Sequence, residues 1–165
     1  MILVEKATSN DIPTIQDIAY GTWPSTFAEI LSKQQIEYML EMMYSTPLLL
    51  EQIQIKKHHF FLAKEDEVAL GFISVELNYQ NQATAKIHKI YILPATQGKG
   101  IGKILMHRAE ELAQEYDQKS ITLNVNRFNK ALVFYEKLGY RITQTEDIEI
   151  GNGYLMEDFV LEKQL

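Results

Sequence analysis

The sequence predicts a mixed α/β fold, and three observations carry that expectation. Ile90-Tyr91-Ile92-Leu93 is apolar on both strand faces and runs into a glycine-rich turn and an amphipathic helix, as a central strand covered on both sides does. Before it, Phe60 to Lys64 and Val68 to Tyr79 flank the acidic turn Glu65-Asp66-Glu67 and read as antiparallel strands. After it, Arg141 to Ile150 and Tyr154 to Leu161 flank Gly151-Asn152-Gly153, whose residues tolerate positive φ, and read as a closing hairpin. At 165 residues the chain is expected to fold as one domain spanning 1–165.

Taken in order, Ile2 to Glu5 is a short first strand. Ser9 or Asn10 then caps a helix through Tyr20, with Ile12, Ile15, Ile18 and Ala19 on one face, Pro13 in its first turn and Gly21 ending it. Thr22 to Phe27 reads as a loop, followed by a helix whose stripe is Ile36, Met39, Leu40 and Met43 before Pro47. Glu51 to Lys57 continues as helix. On the strand from Val68, residues Gly71, Ile73, Val75, Leu77 and Tyr79 share one face, and Ser74, Glu76 and Asn78 the other. Ile101, Ile104, Leu105, Ala109, Leu112 and Ala113 recur at helical spacing to about Tyr116, and Ile121 to Val125 is the next strand. Asn129 then caps a helix that Gly139 ends.

Composition narrows the chemistry. Hydrophobic residues make up 46% and charged residues 23%, which argues for a folded globular chain. No apolar run reaches membrane-span length and the N-terminus lacks a signal pattern, so a cytoplasmic location with no membrane partner is expected. The chain has no cysteine, which removes disulfides, thiolate metal ligands and a cysteinyl intermediate. A net charge of −6 disfavours a nucleic-acid surface and is compatible with a cationic substrate. His58 and His59 are neighbours that a strand would point to opposite faces; with no third ligand in view, no metal site is expected.

The glycine-rich turn points backbone N–H groups and a helix dipole at one spot, which suits a phosphate or pyrophosphate. Spacing separates the possible patterns. A Walker turn fails because Gly98 to Gly102 is one residue short and Ile104 follows Lys103. A dinucleotide fingerprint would need glycine at 103 or 105, where Lys103 and Leu105 stand. Gln97-Gly98-Lys99-Gly100-Ile101-Gly102 instead resembles the Gln/Arg-x-x-Gly-x-Gly/Ala signature of the GNAT superfamily of acetyl-coenzyme A dependent N-acetyltransferases, and Ile90 to Pro94 resembles its cofactor strand. Asn129 to Tyr140 is similar to a second motif of that family, Asn-x-x-Ala-x-x-Phe-Tyr-Glu-Lys-x-Gly-Tyr/Phe, with Ala131 one place early.

The resemblance implies an acyl-CoA N-acyltransferase fold, with a mixed, mostly antiparallel sheet splayed between its two central strands and helices on both faces. It implies acetyl-CoA as co-substrate and direct transfer to an amine. Cofactor contacts would fall on Ile90, Tyr91, Ile92, Gln97, Gly98, Lys99, Gly100, Ile101, Gly102, Lys103, Asn129, Tyr135 and Lys137. An N–H near Tyr91 or Ile92 would bind the oxyanion, and Tyr135, six residues or about 9 Å beyond Asn129 along a helix, would protonate the departing thiolate. An amine resembling lysine is protonated at neutral pH, so a base is needed. Strand parity puts Lys86, His88, Ile90 and Ile92 on one face; His88 matches the histidine of arylalkylamine acetyltransferases and is the base, directly or through water. Lys86 and Asn124 stand where other branches carry a glutamate.

Trp23 and Phe27 border the acceptor pocket or belong to the core, and Glu76 faces the reaction centre or water. The flanking sequence most resembles the bacterial spermidine/spermine type, so the expected acceptor is a small-molecule primary amine, polyamine-like or arylalkylamine-like. Acetylation of a protein lysine or N-terminus, or a non-catalytic coenzyme A binding module, stand as alternatives. The resemblance also implies a homodimer.

Overall fold

The computed structural model describes residues 1–165, and seven strands form one sheet through its middle. In chain order they are β1 (Leu3–Lys6), β2 (His59–Glu65), β3 (Val68–Glu76), β4 (Thr84–Ile92), β5 (Ser120–Asn126), β6 (Arg141–Gly151) and β7 (Tyr154–Gln164). Across the sheet the order is β1-β2-β3-β4-β5-β7-β6. Only β4 and β5 run parallel, as strands joined through a crossover helix do. The helices are α1 (Ile12–Phe27), α2 (Lys33–Tyr44), α3 (Thr46–Leu50), α4 (Ile101–Glu115) and α5 (Leu132–Lys137). The mixed, mostly antiparallel sheet expected from the sequence is therefore present, with helices on both faces.

Each face has its own core. Leu105, Ala109 and Leu112 of α4 pack against Ile73, Val75, Ile87 and Leu123. Ile15, Ala19, Trp23, Met39 and Leu40 of α1 and α2 pack against Phe60, Leu62 and Phe72 on the other side. No helix is long and apolar enough to cross a membrane.

Three boundaries differ from the sequence reading, each for a local reason. Helix α1 passes Gly21 and Pro24 to end at Phe27, because Trp23 and Phe27 continue its buried stripe. Pro24 is exposed, so water can take the carbonyl it leaves without a helical partner. The chain enters α1 through a turn at Ser9–Asp11 capped by Thr8, whose hydroxyl accepts from Asn10 N while Asp11 accepts from Thr8 N at 2.8 Å. The helix after Asn129 starts at Leu132; Asn129 holds the preceding turn, its Oδ1 accepting from Ala131 N at 2.9 Å.

Two irregularities of β4 position the site. Pairing with β3 slips between Ser74 and Val75, which face Lys89 and Ile87, so His88 is an extra, bulged residue. The expected face shared by Lys86, His88, Ile90 and Ile92 is thereby broken: Ile90 and Ile92 pack on the α4 side, whereas Tyr91 joins the α1 side. The parallel pairing with β5 also stops early, at Ile87 opposite Leu123, although β4 continues to Ile92 and β5 to Asn126. From His88 and Asn124 onward the two central strands part.

Candidate active site

The parted strands make a narrow cleft of about 70 Å³, lined by His88, Ile90 and Tyr91 on one side, Asn124, Val125 and Asn126 on the other, with Phe27, Asn129 and Tyr135 closing it. Its β4 wall offers unpaired donors. Leu93 N donates to Leu70 O at 2.8 Å, and strand alternation turns Tyr91 N–H the same way, toward β3. Ile90 and Ile92 N–H therefore turn toward the side where β5 has moved away. Of the two oxyanion candidates, Ile92 rather than Tyr91 turns its N–H to the side that β5 has left.

Past the cleft, Pro94–Thr96 forms a single turn and Gln97 leads into the glycine segment. Gly98 has φ 92° and Gly100 φ 75°, and with nothing within 4 Å of where their Cβ atoms would stand, it is conformation that requires glycine at both. Gly102 answers to space instead: a Cβ there would meet Ile92 Cδ1 at 3.1 Å and Phe134 Cζ at 3.2 Å. Helix α4 begins at Ile101, a buried core residue, and its first-turn N–H groups have no intrahelical acceptors. Lys103 and Lys137 are exposed, while Lys99 donates to Glu65 Oε1 at 2.9 Å, so its charge is already shared. The turn can hold an anion at its N–H groups.

Tyr135 sits one turn into α5 and is 7% exposed. Its position is fixed by the helix end: Tyr140 N donates to Tyr135 O at 3.2 Å, Gly139 N donates to Glu136 O at 3.0 Å, and Gly139 adopts φ 98°. Burial pushes the Tyr135 phenol well above its ordinary value, so it stays protonated and can donate.

His88 is held by residues that lie apart in the sequence. Its Nε2 stands 2.9 Å from Glu76 Oε1, and His58 Nε2 is 3.4 Å from the same oxygen. The two imidazoles stack at 4.7 Å with 5° between their planes, and Tyr79 meets His88 edge-on at 5.9 Å. Burial first, then the Lys89, Lys86 and Lys56 ammonium groups, push His88 down to about 3. Burial and His88 push His58 down to about 4, against the pull of Glu76. Both rings are neutral near pH 7, with lone pairs available.

The sequence showed no third ligand for His58 and His59; the structure instead brings His58 together with Glu76 and His88, whose donor atoms lie within 4.8 Å of one another. Both Nε2 atoms approach the same Glu76 oxygen, His88 at 2.9 Å and His58 at 3.4 Å, so the carboxylate serves both rings.

Of the remaining expected residues, Phe27 lines the cleft and Trp23 does not: Trp23 is 1% exposed and packs against Phe27, Tyr44 and Tyr91. Glu76 serves the histidines. Three features were not anticipated. His58 reaches Glu76 because the β2–β3 register pairs His59 with Val75, a register the hairpin turn alone misplaces by one residue owing to a bulge at Ala63/Lys64. Lys89 is buried at 5% exposure, donating to Gln52 Oε1 at 2.9 Å. Asn124 is a hub: its Oδ1 accepts from Lys86 Nζ at 2.7 Å, and its Nδ2 donates to Glu146 and Asp158 at 3.0 and 3.2 Å.

A sheet opened between a parallel central pair, with a glycine turn at the helix beside the opening, defines an acyltransferase class of site. The chain belongs to the acetyltransferase (GNAT) family, whose pattern matches residues 20–140. A spermidine N(1)-acetyltransferase of Thermoplasma acidophilum is 28% identical over 161 residues, covering 94% of this chain and 96% of that protein. The crystal structure of PaiA N-acetyltransferase from Thermoplasma acidophilum, in complex with coenzyme A, superposes with a TM-score of 0.85 at 28% identity over 100% of this chain and 99% of that one. A GCN5-related N-acetyltransferase structure from Rhodopseudomonas palustris shares the fold at a TM-score of 0.84 and 20% identity, covering 99% and 95%.

Proposed function

We propose that the protein transfers acetyl from acetyl-CoA directly to a primary amine of a small molecule, polyamine-like or arylalkylamine-like. The observation that carries this reading is the cleft where β4 and β5 part, which His88 and Tyr135 line together, with the Ile92 N–H turned to the side that β5 has left. In this reading the turn from Gln97 to Lys103 binds the cofactor's phosphates by backbone N–H groups, Lys103 and Lys137 add positive charge, and Asn129, Ile90 and Tyr91 border its arm. The unprotonated form of the acceptor attacks the thioester carbonyl, and His88 takes the proton that the nitrogen sheds as the new bond forms, when that proton is most acidic. Ile92 N–H stabilises the oxyanion, and Tyr135 gives its proton to the departing thiolate.

A cationic acceptor is supported by Glu146 and Asp158. Both carboxylates bond Asn124, which lines the cleft, and together they outnumber the Lys86 ammonium group bonded to the same side chain. The likeness to a spermidine N(1)-acetyltransferase points the same way.

The test is incubation with acetyl-CoA and panels of polyamines, arylalkylamines, amino acids and peptides, read by mass spectrometry. Acetylated diamines or polyamines are the expected product. Acetyl-CoA binding with no amine modified would instead favour a binding module, and modified peptides alone a protein acetyltransferase. Tyr135→Phe should keep acetyl-CoA affinity while lowering kcat by roughly 10²-fold, the scale of a lost general acid.

A further inference from the structure

We propose that Glu76 and His58 are positioning residues for His88: the Glu76 carboxylate takes the Nε2 hydrogen, which makes Nδ1 the proton-accepting atom, and His58 holds the ring by stacking on it. The inference rests on the assignment of His88 as base.

A carboxylate has only acceptors, so the 2.9 Å contact at Nε2 requires the hydrogen of neutral His88 to be there. The lone pair is then on Nδ1. When the N–H bond of the attacking nitrogen breaks, the proton forms an Nδ1–H bond, and the resulting imidazolium has its positive charge beside Glu76. That negative charge is needed, because Lys56, Lys86 and Lys89 all oppose a further positive charge here. Glu76 thus sets which nitrogen reacts and stabilises the charge that forms there.

His58 supplies orientation. His88 is a bulged residue, so the ladder on its own strand does not fix its direction as it would for a paired neighbour. A ring lying parallel at 4.7 Å, itself 8% exposed, closes one face of His88, and Tyr79 closes an edge. His58 Nδ1 is buried without a partner. Because the Glu76 carboxylate only accepts, the 3.4 Å approach of His58 Nε2 to the same oxygen places the His58 hydrogen on Nε2 too and leaves Nδ1 as the unpaired acceptor.

The experiment is ¹⁵N NMR of the histidine rings in the full chain, combined with steady-state kinetics. Wild-type His88 should show a protonated Nε2 and an unprotonated Nδ1. Glu76→Ala should mix the tautomers and lower kcat by roughly 10–100-fold with acetyl-CoA affinity retained, as loss of orientation does. His58→Ala should lower kcat about tenfold, whereas His58→Phe, which keeps a ring in the stack, should restore most of it. An Nδ1–H tautomer in the wild type, or an unchanged tautomer and kcat in Glu76→Ala, would overturn the assignment. Equal impairment by Phe and Ala at 58 would remove the stacking role. If Glu76→Ala fails to fold, the wild-type spectrum still decides, and because it needs no turnover it separates this idea from the acceptor reading.

Discussion

Lys89 shows how much a single residue can cost beside an active site. Burial, and secondarily Lys56, push its ammonium group down to about 8 from an ordinary 10.5. Below pH 8 the folded protein carries the charge at a penalty. Between about 8 and 10.5 the folded state has released a proton that the unfolded chain still holds, so this residue's contribution to stability rises with pH. At about 1.4 kcal/mol per pKa unit, less the lost bond to Gln52, Lys89→Met should stabilise the fold by about 1–2 kcal/mol at pH 7. That advantage should vanish by pH 10.5; urea melts of both proteins across this range would test it. The residue scale is also where sequence reading reached furthest and then stopped. His88 and Tyr135 follow from motif position and side-chain chemistry. The pairing of Glu76 and His58 with His88 does not, because two bulges shift the registers that bring them together.

At the scale of elements, the glycine turn was legible because each glycine answers a local need, and local needs are written in local sequence. Gly102 is the sharpest case. Gly102→Val would push α4 away from Ile92 and Phe134, both within 3.2 Å of an added Cβ. The expected result is a loss of about 1–3 kcal/mol in stability, as overpacking gives, and acetyl-CoA binding weakened by roughly tenfold, measured by thermal melts and calorimetry, because the helix carries the phosphate-facing N–H groups. The extent of α1 was less legible. Gly21 and Pro24 are ordinary stop signals, but the buried side chains of Trp23 and Phe27 on the following turn outweigh them.

For the whole molecule, the order of strands is the part least visible in the sequence. Insertion of β7 between β5 and β6 joins residues far apart in the chain, such as Asn124 and Val160, and no local pattern encodes that. The same arrangement brings the β6–β7 tip back over the helices. Tyr38 OH donates to Ile150 O at 2.8 Å, and Gln35 Nε2 to Leu155 O at 3.0 Å. Because Glu146 is on β6, Tyr38→Phe should loosen the acceptor side, raising the amine KM by about three- to tenfold while acetyl-CoA affinity holds, on the scale of one lost hydrogen bond. The bulge at His88 carries a further consequence for the molecule's history. Deleting His88 would leave every other paired residue of β4 opposite its present partner on β3, Ile87 with Val75 and Tyr91 with Phe72, and remove only the ring that stacks on His58. One residue added to this strand supplies a side chain to the site while both halves of the strand keep their partners.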